Sequence, residues 1–252
     1  GKVDGYATDD LIITTEDVSS KVTRKMLGQV KHFIAFTKGD KLLGEVLQAA
    51  WDDYSNPAVF NQGKDAIALI TGPLSGVDQS NVPWILEHAR ATASAEEFYR
   101  HVNQANFSPA KCGEKLDAIR HHLDAANSGE PVSDADTFQF LRHFHLLGYD
   151  LDIESSVTKS LLHSHIAQYQ KELSAVAWLR VVEFVQRMNK HAATITKSSI
   201  PEDLLEMFKE RAPIEFPKEL SAKTRQSITD WTIHPDASYI AMTLLIGAWN
   251  EK

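Results

Sequence analysis

The sequence predicts an α/β fold: a small mixed sheet flanked by helices, followed by a mainly helical half. Three observations predict it. Two apolar, β-branched stretches, "DDLIIT" (9–14) and "MLGQVKHFIAF" (26–36), are separated only by polar residues 15–25, the spacing of paired strands. An amphipathic helical segment then leads to a short apolar run, the pattern of strand, crossover helix and parallel strand. From about residue 76 onward, apolar residues recur mainly at three- and four-residue steps.

Each element has its own reason. In the first strand two acids, Asp9 and Asp10, precede Leu-Ile-Ile. In the second, strand alternation puts Gln29 and Lys31 on one face and Val30 on the other. In "KGDKLLGEVLQAAWDDY", Leu43, Val46, Leu47, Ala50, Trp51 and Tyr54 line one side of a helix, which "NPAVFNQG" ends. "DAIALITG" (65–72) is apolar throughout, as a strand buried on both faces is. "TGPLSG" has no following Gly-Lys-Ser/Thr, so it is not a phosphate-binding P-loop; turn chemistry accounts for Gly72, Pro73 and Gly76. Helices are expected at 79–94, 95–106 and 109–127. "NSGEPVS" reads as a linker, and Ser133 with Asp136 as a capping box. "HFHLLGYDLD" is expected to hold a further strand. Helices then run through about 153–171 and 174–195, the latter with a stripe of Trp178, Val181, Val182, Val185 and Met188. Ser199 with Glu202 opens a shorter helix, and "APIEFPKE" (212–219) is a second break. The organisation expected is an α/β core at 1–128, a helical extension at 129–211, and a linker and helix at 212–252.

The net charge of −8 over 252 residues excludes a uniformly cationic nucleic-acid coat but not a local basic groove. Lys21, Arg24, Lys25, Lys31, Lys38 and Lys41 supply such a cluster, or equally a solvated basic surface. A single cysteine, Cys112, excludes an internal disulfide framework, fits a reducing, cytoplasmic setting, and reads as an apolar filler. No run reaches the roughly 20 apolar residues of a membrane span. The first residue is Gly1 rather than Met, which suggests a chain cut from something longer. Trp51, Tyr54, Tyr169 and Trp178 sit on apolar stripes and read as core.

One constellation carries chemistry. A carboxylate heading one strand, with an amide and an ammonium sharing a face of the next, combines hard oxygen donors for Mg²⁺ with a cation for a phosphate. Asp9 and Asp10 head the first strand, and Gln29 and Lys31 share a face of the second. The competing account is an ordinary Asp10–Lys31 cross-strand ion pair. The pairs His121–His122, His143/His145 and His163/His165 lack a third partner at zinc-site spacing and read as surface or hydrogen-bonded histidines.

"DDLIIT…LGQVKHF" resembles the PD-(D/E)xK nuclease superfamily, in the form where Gln precedes the x-Lys. More narrowly, it is similar to the endonuclease effector domains of bacterial antiphage systems, fused to cyclic-oligonucleotide sensors or STAND-type NTPases. "KGDKLLGEVLQAAWDDYSNPAVFN", "ALITGPLS", "FLRHFHLLGYDLDIESS", "SIPEDLL" and "AMTLLIGAWNEK" extend the resemblance over most of the chain. It implies a restriction-endonuclease-like sheet, Mg²⁺ or Mn²⁺, DNA as substrate, assembly into a homo-oligomer, continuation into a larger NTPase or sensor protein, and no membrane. It also implies Asp10 as the favoured metal ligand, since an apolar run follows it directly, with Asp9 as the fallback, Gln29 as the second ligand, Lys31 as the catalytic lysine and His32 as a phosphate neighbour. The family adds a glutamate from a helix before the first strand. No helix precedes Gly5, so that ligand lies outside this sequence or is absent. The alternative is a nuclease-fold domain without catalysis, serving as an interaction or oligomerisation module.

Overall fold

A computed structural model describes residues 5–8, 10–17, 19–104, 106–149, 157–169, 174–191 and 193–208. It is a mixed α/β structure around a four-stranded sheet. Strand β1 (Leu11–Glu16) runs antiparallel to β2 (Thr23–Lys31), in a register from Leu11↔Gly28 to Glu16↔Thr23. Asp17 shapes the connection by accepting from the amides of Ser19 and Ser20. Helix α1 (Lys41–Tyr54) then crosses to β3 (Ala66–Thr71), parallel to β2 from Met26↔Ala66 to Lys31↔Thr71. Helices α2 (Gly76–Ala91), α3 (Ala95–Val102), α4 (Cys112–Ala126) and α5 (Asp134–His143) precede β4 (Phe144–Gly148), which pairs parallel with β3. The strand order is β1-β2-β3-β4.

Registered partners share a face, so one face carries Ile12, Leu27, Ile67, Leu69, Phe144 and Leu146. These join one core with Leu43 and Leu47 of α1, Val82, Ile85 and Leu86 of α2, and Phe138 and Phe140 of α5. Each fully buried Leu, Ile or Phe contributes about 1.5–3 kcal/mol. The helices start where polar caps allow. Asp40 accepts from Leu43 N, Ser75 from Asp78 N, Ser94 from Glu97 N and Ser133 from Asp136 N. Cys112 is fully buried, and burial pushes its thiol up to about 11.

The elements expected within the described residues are present, with shifted bounds. The second strand was expected to reach residue 36 but stops at Lys31. Ile34 and Phe36 are buried as loop anchors, and the Phe36 carbonyl accepts from Lys115 Nζ rather than from a ladder. His143 closes α5, and His145 lies in β4.

The chain divides into two units at Lys159/Ser160, so the expected boundary at 128 falls inside the first unit, between α4 and α5. The second unit contains most of α6 (Val157–Ala167), then α7 (Ser174–Lys190) and α8 (Glu202–Glu206). In α7 the buried residues are Ala177 and Phe184, while Val185 is exposed; the apolar stripe is rotated from the one expected. Pro201, not Ser199, caps α8; Ser199 ends a short 3₁₀ turn begun by Thr196. The break expected at 212–219 and the segment 212–252 lie outside the described residues.

Candidate active site

The start of β1 and the end of β2 meet at one edge of the sheet. Asp10 is exposed, and its Oδ2 accepts the Val30 amide hydrogen at 2.7 Å. Asp10 precedes the first registered pair, Leu11↔Gly28, so its direction is set by the Val30 hydrogen bond rather than by alternation. Gln29 follows Leu27 on the packed face and is half-buried; its Oε1 is shut off from solvent without a hydrogen-bond partner. Lys31, two residues on, is also half-buried. Among the described residues its ammonium has neither a hydrogen bond nor an ion pair, so the Asp10–Lys31 ion pair is not formed. Asp9 lies outside the described residues.

The chain beyond Lys31 is held by α4. Lys115 Nζ donates to the Phe36 carbonyl at 3.1 Å while sitting 2.8 Å from Asp78 Oδ1. His122 Nε2 lies 2.9 Å from the Thr37 carbonyl oxygen. Asp40 takes up the Ala35 amide with one oxygen and caps α1 with the other. These contacts fix a loop that leaves β2 immediately after the lysine. His32 lies beyond the strand end, so alternation no longer sets its direction; its ring stands edge-on to Phe33, which is 66% exposed.

The end of β3 presses against the end of β2. Gly72 N donates to the Lys31 carbonyl at 3.3 Å, and a Cβ on Gly72 would sit 2.6 Å from the His32 carbonyl oxygen. Glycine at 72 is required by this approach, which is more than the turn chemistry expected of "TGPLSG". Thr71, registered opposite Lys31, is 3% exposed, and its Oγ1 has no hydrogen-bond partner. Sequence reasoning missed this residue. Its one signal was a polar side chain closing an apolar run directly before glycine.

Asp10 and Gln29 offer two oxygen donors. That matches the way Mg²⁺ is usually held, by one or two protein oxygens with water and substrate phosphate completing its shell. The orphaned Gln29 Oε1 is the observation that favours the fit. No group of three or more His, Cys, Asp or Glu residues gathers among the described residues, which leaves no zinc-type cluster there. Within the basic cluster, Lys21 pairs with Glu16 at 3.5 Å, and Lys25 turns to Asp65 at 3.9 Å and to the Val59 carbonyl. Arg24, Lys38 and Lys41 are exposed. No described helix is long and apolar enough to cross a membrane.

Scans against family profiles, curated proteins and solved structures return no match.

Proposed function

We propose that this chain is a metal-dependent endonuclease hydrolysing DNA phosphodiester bonds, the effector domain of a cytoplasmic antiphage protein that continues into a sensor or NTPase and works as a homo-oligomer. One observation carries the reading: an orphaned amide oxygen (Gln29) and an unpaired ammonium (Lys31) lie two residues apart on one face, with the Asp10 carboxylate bonded to the amide between them. A chain folding for stability alone would have paired these groups or replaced them with apolar ones.

Asp10 and Gln29 would hold Mg²⁺ or Mn²⁺. When bound, the ion supplies positive charge to the scissile phosphate and acidifies a water. Lys31 adds a cation for the negative charge that develops on the phosphate oxygens, or holds the attacking water at Nζ. The Val30 amide orients the Asp10 carboxylate by occupying Oδ2, which leaves Oδ1 for the metal. Exposed Lys38 and Lys41, in the stretch that follows β2, give a cationic approach despite the acidic total.

Plasmid nicking in Mg²⁺ tests this. Wild type is expected to nick, and Lys31→Ala to lose roughly 10²–10³-fold while keeping its melting temperature. Absence of nicking by the intact, activated protein would overturn it. The second reading, an inactive interaction module, is favoured by the row of exposed Leu11, Ile13 and Val30 on the opposite face. It is expected to show concentration-dependent association in sedimentation without any cleavage.

A further inference from the structure

Two strand residues, among those described, have a buried side-chain oxygen with no partner: Gln29 and Thr71. They lie on neighbouring strands and on the same face, with Lys31 between them in the pattern of the site and directly opposite Thr71 in register. Leaving a buried hydroxyl unsatisfied is costly, and valine would fill the same volume without that cost. Thr8, Tyr99 and Thr137 also carry a buried hydroxyl without a partner among the described residues, but of these four Thr71 is the one registered opposite Lys31. The nearest unoccupied cation in the register is Lys31, so the missing partner is an anion able to take both a hydroxyl donor and an ammonium. The ends of the two strands are locked together by the contact of Gly72 with the His32 carbonyl, which fixes the spacing of the pair.

We propose that Thr71 is a substrate-binding residue: its hydroxyl donates to a non-bridging oxygen of the same DNA phosphate that Lys31 engages. This rests on the nuclease reading above. In the free protein the oxygen is closed off from solvent, so binding requires a neighbour to give way. Lys31, long and held by no described partner, is the group free to move.

Thr71→Val and Thr71→Ser separate this role from a structural one. The probe is a 20-base-pair duplex, with binding measured by fluorescence anisotropy in Ca²⁺, nicking in Mg²⁺, and melting temperature measured alongside. Thr71→Val is expected to melt no lower than wild type, yet to bind and nick at least tenfold less well. Thr71→Ser is expected to melt lower but to retain binding within about twofold. A structural residue would give the reverse order, with function following stability. Wild-type binding and nicking by Thr71→Val would overturn the role of Thr71 and leave the nuclease reading standing. Failure of wild type itself to bind and nick would overturn the nuclease reading and this inference with it.

Discussion

On one face of the sheet, Leu27, Ile67, Leu69 and Phe144 are sealed beneath helices; on the other, Leu11, Ile13 and Val30 stand exposed, Val30 at 50%. Both faces are read from the same alternating strands, and each departs from the usual division of labour. The sealed face ends in polar residues, Gln29, Lys31 and Thr71, with two oxygens unsatisfied. The open face presents Leu11, Ile13 and Val30 and is contracted at Gly28, where Leu11 and Ile70 close over the backbone: a Cβ there would meet Leu11 Cβ at 3.3 Å and Ile70 Cδ1 at 3.5 Å. Polar groups in the covered layer point to chemistry, whereas apolar groups in the uncovered one point to contact. Register keeps the two apart, since a slip of one residue would exchange them.

The comparison can be broken most forcefully on the sealed side. Leu69→Ala removes a fully buried side chain and is expected to cost about 2–5 kcal/mol in urea unfolding. A cost near zero would mean that the helices do not seal that face. Gly72→Ala must push the His32 carbonyl away and is expected to cost about 1–3 kcal/mol, with nicking reduced because the spacing of Lys31 and Thr71 changes. On the open side, Val30→Thr and Ile13→Thr are each expected to stay within about 0.5 kcal/mol of wild type. A loss well beyond that would show the face to be covered. The smallest effect is one of pH. Burial first, then Arg90 and His143, holds His145 below its ordinary 6.5, and burial followed by His101 does the same for His88. The unfolded chain therefore takes up these protons before the folded one. Stability is expected to be unaffected by them above about pH 7 and to fall as the pH drops below 6.5, with His145→Gln flattening part of the slope in melting curves.

Much of the fold was legible because periodicity follows burial. The strand–strand–helix–strand start, the cap at Ser133 and the late strand after α5 all carry local signals. What was not legible depended on distant partners. The segment 32–36 is apolar enough to read as strand, yet its loop is held by Lys115 and His122, some eighty residues away. In α7 the pattern offered several valines, and packing selected Phe184 instead. The candidate site divided in the same way. Asp10, Gln29 and Lys31 could be proposed from alternation and the order of segments. Thr71 could not, because its relation to Lys31 exists only once β2 and β3 are placed in parallel register.

The pegging of the loop after β2 by α4 bears on the order in which the protein is made. The first 75 residues contain β1, β2 and β3, but Lys115 and His122, which hold the backbone just past Lys31, have not yet been synthesised when those strands can pair. An emerging chain can thus assemble its scaffold well before the loop beside the lysine is clamped. The backbone beside Lys31 is accordingly completed only once the helical layer has been translated and docked, a delay written into the spacing of two side chains.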